Sequence, residues 1–191
     1  MIYLFTGSPG ASKTLNAVKF IAEDAQFKDR PVYTYNINDC TFDWGDLTET
    51  EVKTWYDLPD GSVIFIDECQ KIFRPRTKTA AVPKFVEELE THRHHGYDII
   101  LCTQSPTLVD SGIMVFIERH FHFENRFGKN ESVRYTWQKG VRLTDAKSQR
   151  LDAVKDTIPF DKKYFGTYRS SSQHTRKKSV PKKFYYAMGG M

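Results

Sequence analysis

The sequence lacks any hydrophobic stretch long enough to cross a lipid bilayer. No run of about eighteen apolar residues, the usual minimum for a membrane-spanning helix, occurs in its 191 residues. A secretory signal peptide is also missing, because residues 1–5 have no basic start. These absences predict a soluble domain that begins in the cytoplasm, and a hydrophobic content of 39% allows one substantial core.

Cysteine is scarce, and its pattern excludes a complete disulfide framework. Cys40, Cys69 and Cys102 are odd in number and contain no Cys-x-x-Cys pair. Cys69 follows one hydrophobic run and Cys102 ends another. We therefore interpret both as small core residues.

The histidines do not form a convincing metal-binding pattern. His92 and His95 would share one face of a helix, and His120 and His122 one face of a strand. No acid or cysteine completes either pair at the spacing of a metal site. We expect these histidines to lie on a mixed surface and to bind no metal.

Acidic residues are absent after Asp161, whereas eight lysines and arginines follow it. The net charge of the whole chain is +4, so residues 1–161 carry 4 − 8 = −4. The basic tail, residues 162–191, is interleaved with aromatics. It suits an anionic membrane surface or single-stranded nucleic acid, or it is simply a solvated segment.

The most informative feature that is present runs from Phe5 to Thr14. It matches the phosphate-binding loop motif Gly-x-x-x-x-Gly-Lys-[Ser/Thr] except at the second glycine, where the chain has Ser12. A buried strand before it and a helix over Lys13–Gln26 after it supply the required context. The predicted nucleotide-binding residues are Gly7, Ser8, Pro9, Gly10, Ala11, Ser12, Lys13 and Thr14.

In such a loop the main-chain N–H groups and the helix N-terminus hold the phosphates. Lys13 is predicted to bridge the β- and γ-phosphates of ATP, and the Thr14 hydroxyl to bind Mg²⁺. The Cβ of Ser12 occupies space that a glycine leaves open for the phosphates. We therefore expect this chain to bind ATP more weakly than a Ser12→Gly variant. The alternative to a phosphate-binding loop is an ordinary glycine-containing turn between a strand and a helix, with no ligand.

Two further strand ends complete the predicted site. Residues 62–68 form an apolar run that ends in Asp67 and Glu68, the pattern of a Walker B strand. Asp67 is predicted to hold Mg²⁺ through its water shell, and Glu68 to activate the attacking water. Thr103 and Gln104 follow the next strand, 97–102, and are placed to hydrogen-bond a γ-phosphate or that water.

The order of these segments predicts an α/β fold, a P-loop NTPase three-layer sandwich with a mostly parallel central sheet. A β-hairpin near 119–139 is predicted as a C-terminal extension, with Phe121, Phe123 and Phe127 on one side facing partners Val133, Tyr135 and Trp137. A helical segment is expected over Lys84–His95. The predicted division is an NTPase domain, 1–161, followed by the basic tail, 162–191.

Several ordered motifs in residues 1–127 together resemble the zonular occludens toxin (Zot) family, which is similar to the gene I assembly proteins of filamentous phages. They are the N-terminal loop, Ile66-Asp67-Glu68-Cys69-Gln70, Phe73-Arg74-Pro75-Arg76, His92-Arg93-His94-His95-Gly96-Tyr97-Asp98 and Thr103-Gln104. The resemblance implies a cytoplasmic NTPase domain anchored to the inner membrane by a downstream helix, with a role in phage extrusion. Ser12 departs from the glycine that is more usual in the family.

The resemblance favours an ATPase motor that works with phage assembly components. It also favours a juxtamembrane position for the basic tail, with nucleic acid as the less favoured partner of that tail. Ring-forming NTPases form homo-oligomers that use an arginine from a neighbouring subunit, and Arg93, Arg119 and Arg126 are the candidates here. The alternative function is a weakly hydrolysing or non-hydrolysing effector or toxin module that acts by protein contact.

Overall fold

A computed structural model describes residues 1–77, 79–125 and 128–170. The strands in these residues are β1 Ile2–Gly7, β2 Val32–Tyr35, β3 Ile37–Asn38, β4 Gly45–Asp46, β5 Val63–Ile66, β6 Asp98–Thr103, β7 Arg119–Glu124, β8 Glu131–Trp137, β9 Val154–Pro159 and β10 Arg169–Ser170. The α-helices are α1 Lys13–Glu23, α2 Glu49–Val52, α3 Lys84–Glu87 and α4 Lys147–Leu151.

Eight strands form one sheet in the order β4-β2-β5-β6-β1-β7-β8-β9. Pairing is parallel from β4 to β7 and antiparallel for β7–β8 and β8–β9. This arrangement confirms the predicted α/β fold with its mostly parallel sheet and terminal hairpin. Because β6 pairs in parallel with both β1 and β5, the carboxyl ends of these three strands lie side by side at one end of the sheet.

The central strands β1, β5 and β6 are buried on both faces of the sheet, as their continuous apolar sequences require. All four residues of β5, Val-Ile-Phe-Ile, are buried. Phe5 and Phe65 pack on the face covered by α1. Trp55, Leu89 and Ile113 from short helical segments cover the opposite face, which gives the predicted three layers.

Two predicted helices are shorter than expected. The first ends at Glu23, because Asp24 is extended and its side chain accepts a hydrogen bond from the Gln26 N–H to begin a 3₁₀ turn. The second contains only the four residues of α3, followed by a 3₁₀ turn at Glu88–Glu90. The helical segment predicted over Lys84–His95 is therefore confirmed over residues 84–90, partly as 3₁₀ helix, and wrong over residues 91–95.

The predicted hairpin is confirmed, but its side-chain pairing is wrong. Phe121 lies opposite Thr136, and Phe123 opposite Arg134, and both phenylalanines pack toward α1. The predicted partners Val133, Tyr135 and Trp137 form a separate cluster on the other face. A shift of one residue in register exchanges the two faces of a strand. Phe127 lies outside the described residues.

The hairpin is not the last element of the sheet, because β9 pairs along β8. Its alternate residues are only partly covered, and the sequence analysis did not identify this strand. At the other end of the sheet, the two-residue strand β4 pairs with β2. Within the described residues, no helix combines the length and the apolar character needed to span a bilayer.

The chain beyond β9 returns to α1 as a C-terminal strap, residues 161–170. Asp161 accepts a hydrogen bond from Lys19 Nζ at 2.8 Å, and the Tyr164 hydroxyl donates to Glu23 at 2.8 Å. Strand β10 then pairs with β3. The first residues of the predicted basic tail thus pack on the domain, residues 171–191 lie outside the described part, and the boundary at residue 161 stays a prediction.

Candidate functional site

The loop between β1 and α1 has backbone conformations that restrict its residues. A Cβ at Gly7 would lie 2.4 Å from the carbonyl oxygen of Phe123, so a side chain does not fit there. Gly10 has φ 77° and Ser12 has φ 69°, both in the left-handed region that favours glycine. Gly7 N–H donates to the Gln104 carbonyl at 3.2 Å, which joins the loop to the end of β6.

Lys13 and Glu68 face each other inside the protein. Their side chains are 3% and 7% exposed, and Lys13 Nζ lies 3.9 Å from Glu68 Oε1. Two buried ionisable side chains at this distance are uncommon unless they are paired or await a ligand. The structure therefore brings together the ends of β1 and β5 as predicted from the sequence.

Thr14 and Asp67 form the second contact between the loop and β5. The Thr14 hydroxyl donates to the two carboxylate oxygens of Asp67 at 3.3 and 3.4 Å, and both residues are buried. A hydroxyl beside a carboxylate offers the oxygen ligands that Mg²⁺ prefers. Their chemistry fits the predicted metal-binding role.

Glu68 is strained and has an open acceptor. Its φ is 50°, and Gln70 Nε2 donates a hydrogen bond to its Oε2. The other oxygen, Oε1, is buried and has no hydrogen-bond partner among the described residues. Glu68 and Ser12 are the residues other than glycine, asparagine and aspartate with positive φ in the described chain. Such strain often marks functional positions, and the open oxygen fits a site that accepts a proton donor.

The two residues predicted after β6 have different surroundings. Gln104 is exposed beside the loop. Thr103 is buried, and its hydroxyl donates to the Ser105 carbonyl at 3.4 Å. By strand alternation Thr103 faces away from α1, whereas Asp67 and Gln104 face toward it. Nucleotide contact by Thr103 and Gln104 stays a prediction.

The candidate arginines lie away from the loop or outside the described residues. Arg93 pairs with Glu118 at 3.1 Å, next to the start of β7, and Arg119 lies beside Tyr3 at the start of β1. Both lie at the end of the strands opposite Gly7. Either arginine could therefore contact a bound nucleotide only in the site of a neighbouring subunit. Arg126 is not among the described residues.

Most of the predicted surface histidines are in fact buried. His92, His120 and His122 are 4%, 0% and 8% exposed, whereas His95 is exposed and bonds Asp60 at 2.9 Å. Thr6 Oγ1 lies 2.7 Å from His120 Nε2 and 2.9 Å from His122 Nδ1. The histidines of β7 thus contribute to the interior on the face opposite α1.

One of these histidines, His122, has two acids close to it, which the sequence did not indicate. Ligand atoms of His122, Glu124 and Asp145 lie within 4.8 Å of one another. The Arg150 guanidinium donates to both carboxylates. Asp145 is separated from His122 by more than twenty residues along the chain, so only folding reveals this group. In this structure the cation beside the two carboxylates is the Arg150 guanidinium.

The two cysteines near the site are buried free thiols, as predicted. Burial, with the nearby Asp67 charge adding to it, raises the pKa of Cys69 and of Cys102 well above the ordinary value. Both remain neutral thiols. They fill the core and are poor nucleophiles.

Sequence reasoning missed residues that approach the site from distant parts of the chain. Ser132 of β8 contacts the phosphate loop. Tyr168 of the C-terminal strap packs on the core beside α1, and its pKa is raised by burial and then by the Asp67 carboxylate. Neither residue belongs to a local motif, so no sequence signal could have identified it.

The parallel sheet, the loop before α1 and the acidic end of β5 define a P-loop NTPase fold. A model of the family described as "Zonular occludens toxin (Zot)" matches residues 1–45 and 43–175. The chain belongs to the zonular occludens toxin (Zot) family, which confirms the resemblance.

A phage relative and a solved structure of a Zot domain support this assignment. The chain is 33% identical over 189 residues to ORF301 of Pseudomonas phage Pf3, which is named as an assembly protein. This alignment covers 96% of the chain and 62% of the relative. The N-terminal domain of zonular occludens toxin from Neisseria meningitidis matches with TM-score 0.77 and 27% identity over 88% of this chain and 98% of that one.

The DNA-packaging ATPase B204 of Sulfolobus turreted icosahedral virus matches with TM-score 0.56 and 13% identity, over 82% of this chain and 96% of that one. At this identity the match concerns the fold alone. The chain is therefore a Zot-family domain with a P-loop NTPase fold, similar to a protein that is named as a phage assembly protein.

Proposed function

We propose that this domain binds and hydrolyses ATP with Mg²⁺ and acts as a motor for filamentous phage assembly and extrusion at the inner membrane. The observation that carries the proposal is the buried Lys13–Glu68 pair, in which Glu68 is strained and retains an open acceptor. A glycine turn with no ligand would not require a buried lysine and carboxylate. The assembly role is supported by the phage relative.

Each residue has a distinct task in this proposal. Main-chain N–H groups of the loop and the Lys13 ammonium bind the phosphates. Thr14 and Asp67 hold Mg²⁺, which when bound neutralises phosphate charge. Glu68 takes a proton from the attacking water as the water oxygen bonds to the γ-phosphorus and the bond to the leaving ADP oxygen breaks. Thr103 and Gln104 are proposed to orient this water or the γ-phosphate.

The proposal also includes a homo-oligomer and a membrane partner. Arg93 and Arg119 lie at the end of the sheet opposite the loop of their own chain, which is consistent with action on a neighbouring subunit. The basic tail is proposed to lie at the cytoplasmic face of the inner membrane, with nucleic acid as a weaker alternative for its partner. The chain spans about 62% of the length of its phage relative. The inner-membrane anchor is proposed to be a segment downstream of this chain.

The test measures ATP binding by calorimetry and steady-state ATPase activity of the purified domain. Lys13→Ala is expected to abolish binding. Glu68→Gln is expected to retain binding and lower turnover by about 100-fold or more, since general-base removal typically costs this much. Lys28→Ala and Glu87→Gln change exposed residues of the same types and should resemble the wild type.

The outcomes separate the two classes of function. Equal ATPase rates in the wild type, Lys13→Ala and Glu68→Gln would contradict the motor and favour an effector that acts by protein contact. Mixing Lys13→Ala subunits with arginine variants tests the oligomer. Failure of every mixture to recover activity would argue against an arginine acting between subunits.

A further inference from the structure

Ser12 adopts a conformation that its residue type disfavours. Its φ of 69° and ψ of 17° are left-handed, and an L-residue with a Cβ is destabilised there by crowding against its own carbonyl. Glycine at this position would avoid that cost. The conformation therefore has to be held by contacts that the serine makes.

The contacts of Ser12 come from two directions. Asn16 Nδ2, one helical turn further along α1, donates to both the hydroxyl and the carbonyl of Ser12 at 2.9 Å. The Ser12 hydroxyl donates to the hydroxyl of Ser132 at 3.1 Å. A glycine could make neither of the two hydroxyl contacts.

Ser132 completes a bridge from the hairpin to the loop. It lies on β8, is 1% exposed, and its own hydroxyl donates to the Ala11 carbonyl at 2.9 Å. One buried side chain thus accepts from residue 12 and donates to residue 11. On the same side of the sheet, the Phe123 carbonyl of β7 packs against Gly7, so both hairpin strands contact the loop.

We infer that Ser132 is a positioning residue that braces the phosphate-binding loop, and that Ser12 and Ser132 act as a pair. The inference rests on the proposed function for its ligand, the triphosphate of Mg·ATP. Because the loop N–H groups bind phosphate only in one backbone conformation, a brace on residues 11 and 12 raises affinity without touching the nucleotide. The serine in place of glycine is then a partner of the hairpin and not an obstacle.

The experiment is a double-mutant cycle on the dissociation constant of Mg·ATP, with hydrogen exchange of residues 8–13 in the nucleotide-free protein as a second measurement. Ser132→Ala is expected to weaken binding about tenfold and to speed exchange, since the buried Ala11 carbonyl and Ser12 hydroxyl each lose a partner. Thr136→Ala, on the same face of β8 but away from the loop, is the control and should leave both unchanged.

In a Ser12→Gly background, the same Ser132→Ala change is expected to weaken binding by about threefold or less, because one of the two bonds is already absent. Equal factors in the two backgrounds, or wild-type affinity in Ser132→Ala, would overturn the inference. If Ser132→Ala does not fold, Ser132→Cys keeps the volume with a weaker donor and carries the same expectation.

Failure of the proposed function gives a different result. A wild-type protein that does not bind Mg·ATP contradicts that function, whereas the exchange rates still decide whether Ser132 braces the loop. Unchanged exchange in Ser132→Ala would then overturn the brace itself.

Discussion

Two buried polar clusters lie on opposite faces of the sheet near the end of β1, and they differ in how their hydrogen bonds are used. On the α1 face, Lys13 and Glu68 lie 3.9 Å apart, and Glu68 Oε1 has no hydrogen-bond partner in the described chain. On the other face, Thr6 joins His120 and His122 in a continuous chain of bonds.

The direction of that chain follows from one backbone contact. Val141 N–H donates to His120 Nδ1 at 3.2 Å, so Nδ1 must be the acceptor and Nε2 carries the proton toward Thr6. Thr6 Oγ1 then accepts from His120, and its own proton is available to His122 Nδ1 at 2.9 Å. Each group here satisfies the next one, which is typical of structural polar networks.

The comparison distinguishes ligand sites from structural ones in this domain. Glu68 combines a buried carboxylate oxygen that lacks a donor with a strained backbone. Both are costly while no ligand is bound, and the oxygen becomes favourable when a ligand supplies the missing donor. A closed network gains nothing from a ligand. We therefore expect perturbations of the histidine cluster to change stability and perturbations of the loop cluster to change binding and catalysis.

The largest expected effect is on the histidine cluster in acid. Burial, and then the neighbouring His122, lower the pKa of His120 from 6.5 to about 3. The unfolded chain takes up this proton below about pH 6.5, whereas the folded chain does not until about pH 3. Stability is therefore fully present above pH 6.5 and falls by up to about 1.4 kcal/mol per pH unit as pH decreases through this window.

Urea unfolding at several pH values between 7 and 4 measures this loss. His120→Gln, which does not titrate, should show a shallower dependence of its unfolding free energy on pH. An identical slope in the variant and the wild type would contradict the assignment of the acid sensitivity to His120.

The second effect concerns the ligand. Mg·ATP at 100 times its dissociation constant should raise the unfolding free energy by about 2.7 kcal/mol, because it binds only the folded state. The gain is expected in the wild type and absent in Lys13→Ala. Chemical unfolding with and without Mg·ATP measures it, and an equal gain in Lys13→Ala would place the ligand elsewhere.

The third effect breaks the closed network at its centre. Thr6→Val should lower the unfolding free energy by about 2 kcal/mol, since it leaves buried groups of both histidines without a partner. Thr103→Val is a matched control, because Thr103 lies beside Thr6 in the sheet and is equally buried but makes a single bond of 3.4 Å. Similar losses in the two variants would show that the histidine network adds no stability.

The smallest effect is expected from removing both charges of the loop cluster. The double variant Lys13→Met/Glu68→Leu should remain within about 1 kcal/mol of the wild type in unfolding free energy, because a buried ion pair is often replaceable by apolar residues. Its ATPase activity should be lost. A large loss of stability would mean that this pair, too, is structural.

Local motifs were enough to predict three central strands of the parallel sheet, β1, β5 and β6, and the residues of the loop cluster. Residues 7–14 and Asp67–Glu68 are contiguous, and parallel strands place their carboxyl ends at one edge, so their meeting follows from the order of the segments. The prediction of which hairpin side chains share a face of the sheet was wrong. The register between two strands depends on what covers each face, and Phe121 and Tyr135 are both apolar enough for either face.

The predicted surface histidines illustrate the same limit. Hydrogen-bond partners for the ring nitrogens stabilise a buried histidine, and those of His120 come from Thr6 and Val141, far away in the chain. Of the two acids near His122, Glu124 is two residues away on the same strand, whereas Asp145 comes from more than twenty residues further along the chain. Pairing partners of this kind have no fixed spacing in a sequence.

The sequence by itself determined the α/β fold, the family and the identity of the loop residues, because each rests on short patterns whose geometry is set by neighbouring residues. Only the tertiary structure showed what Ser12 contacts. Its left-handed backbone is held by Asn16 from the next turn and by Ser132 from a strand 120 residues away, and a contact between distant segments forms only when the sheet brings them together.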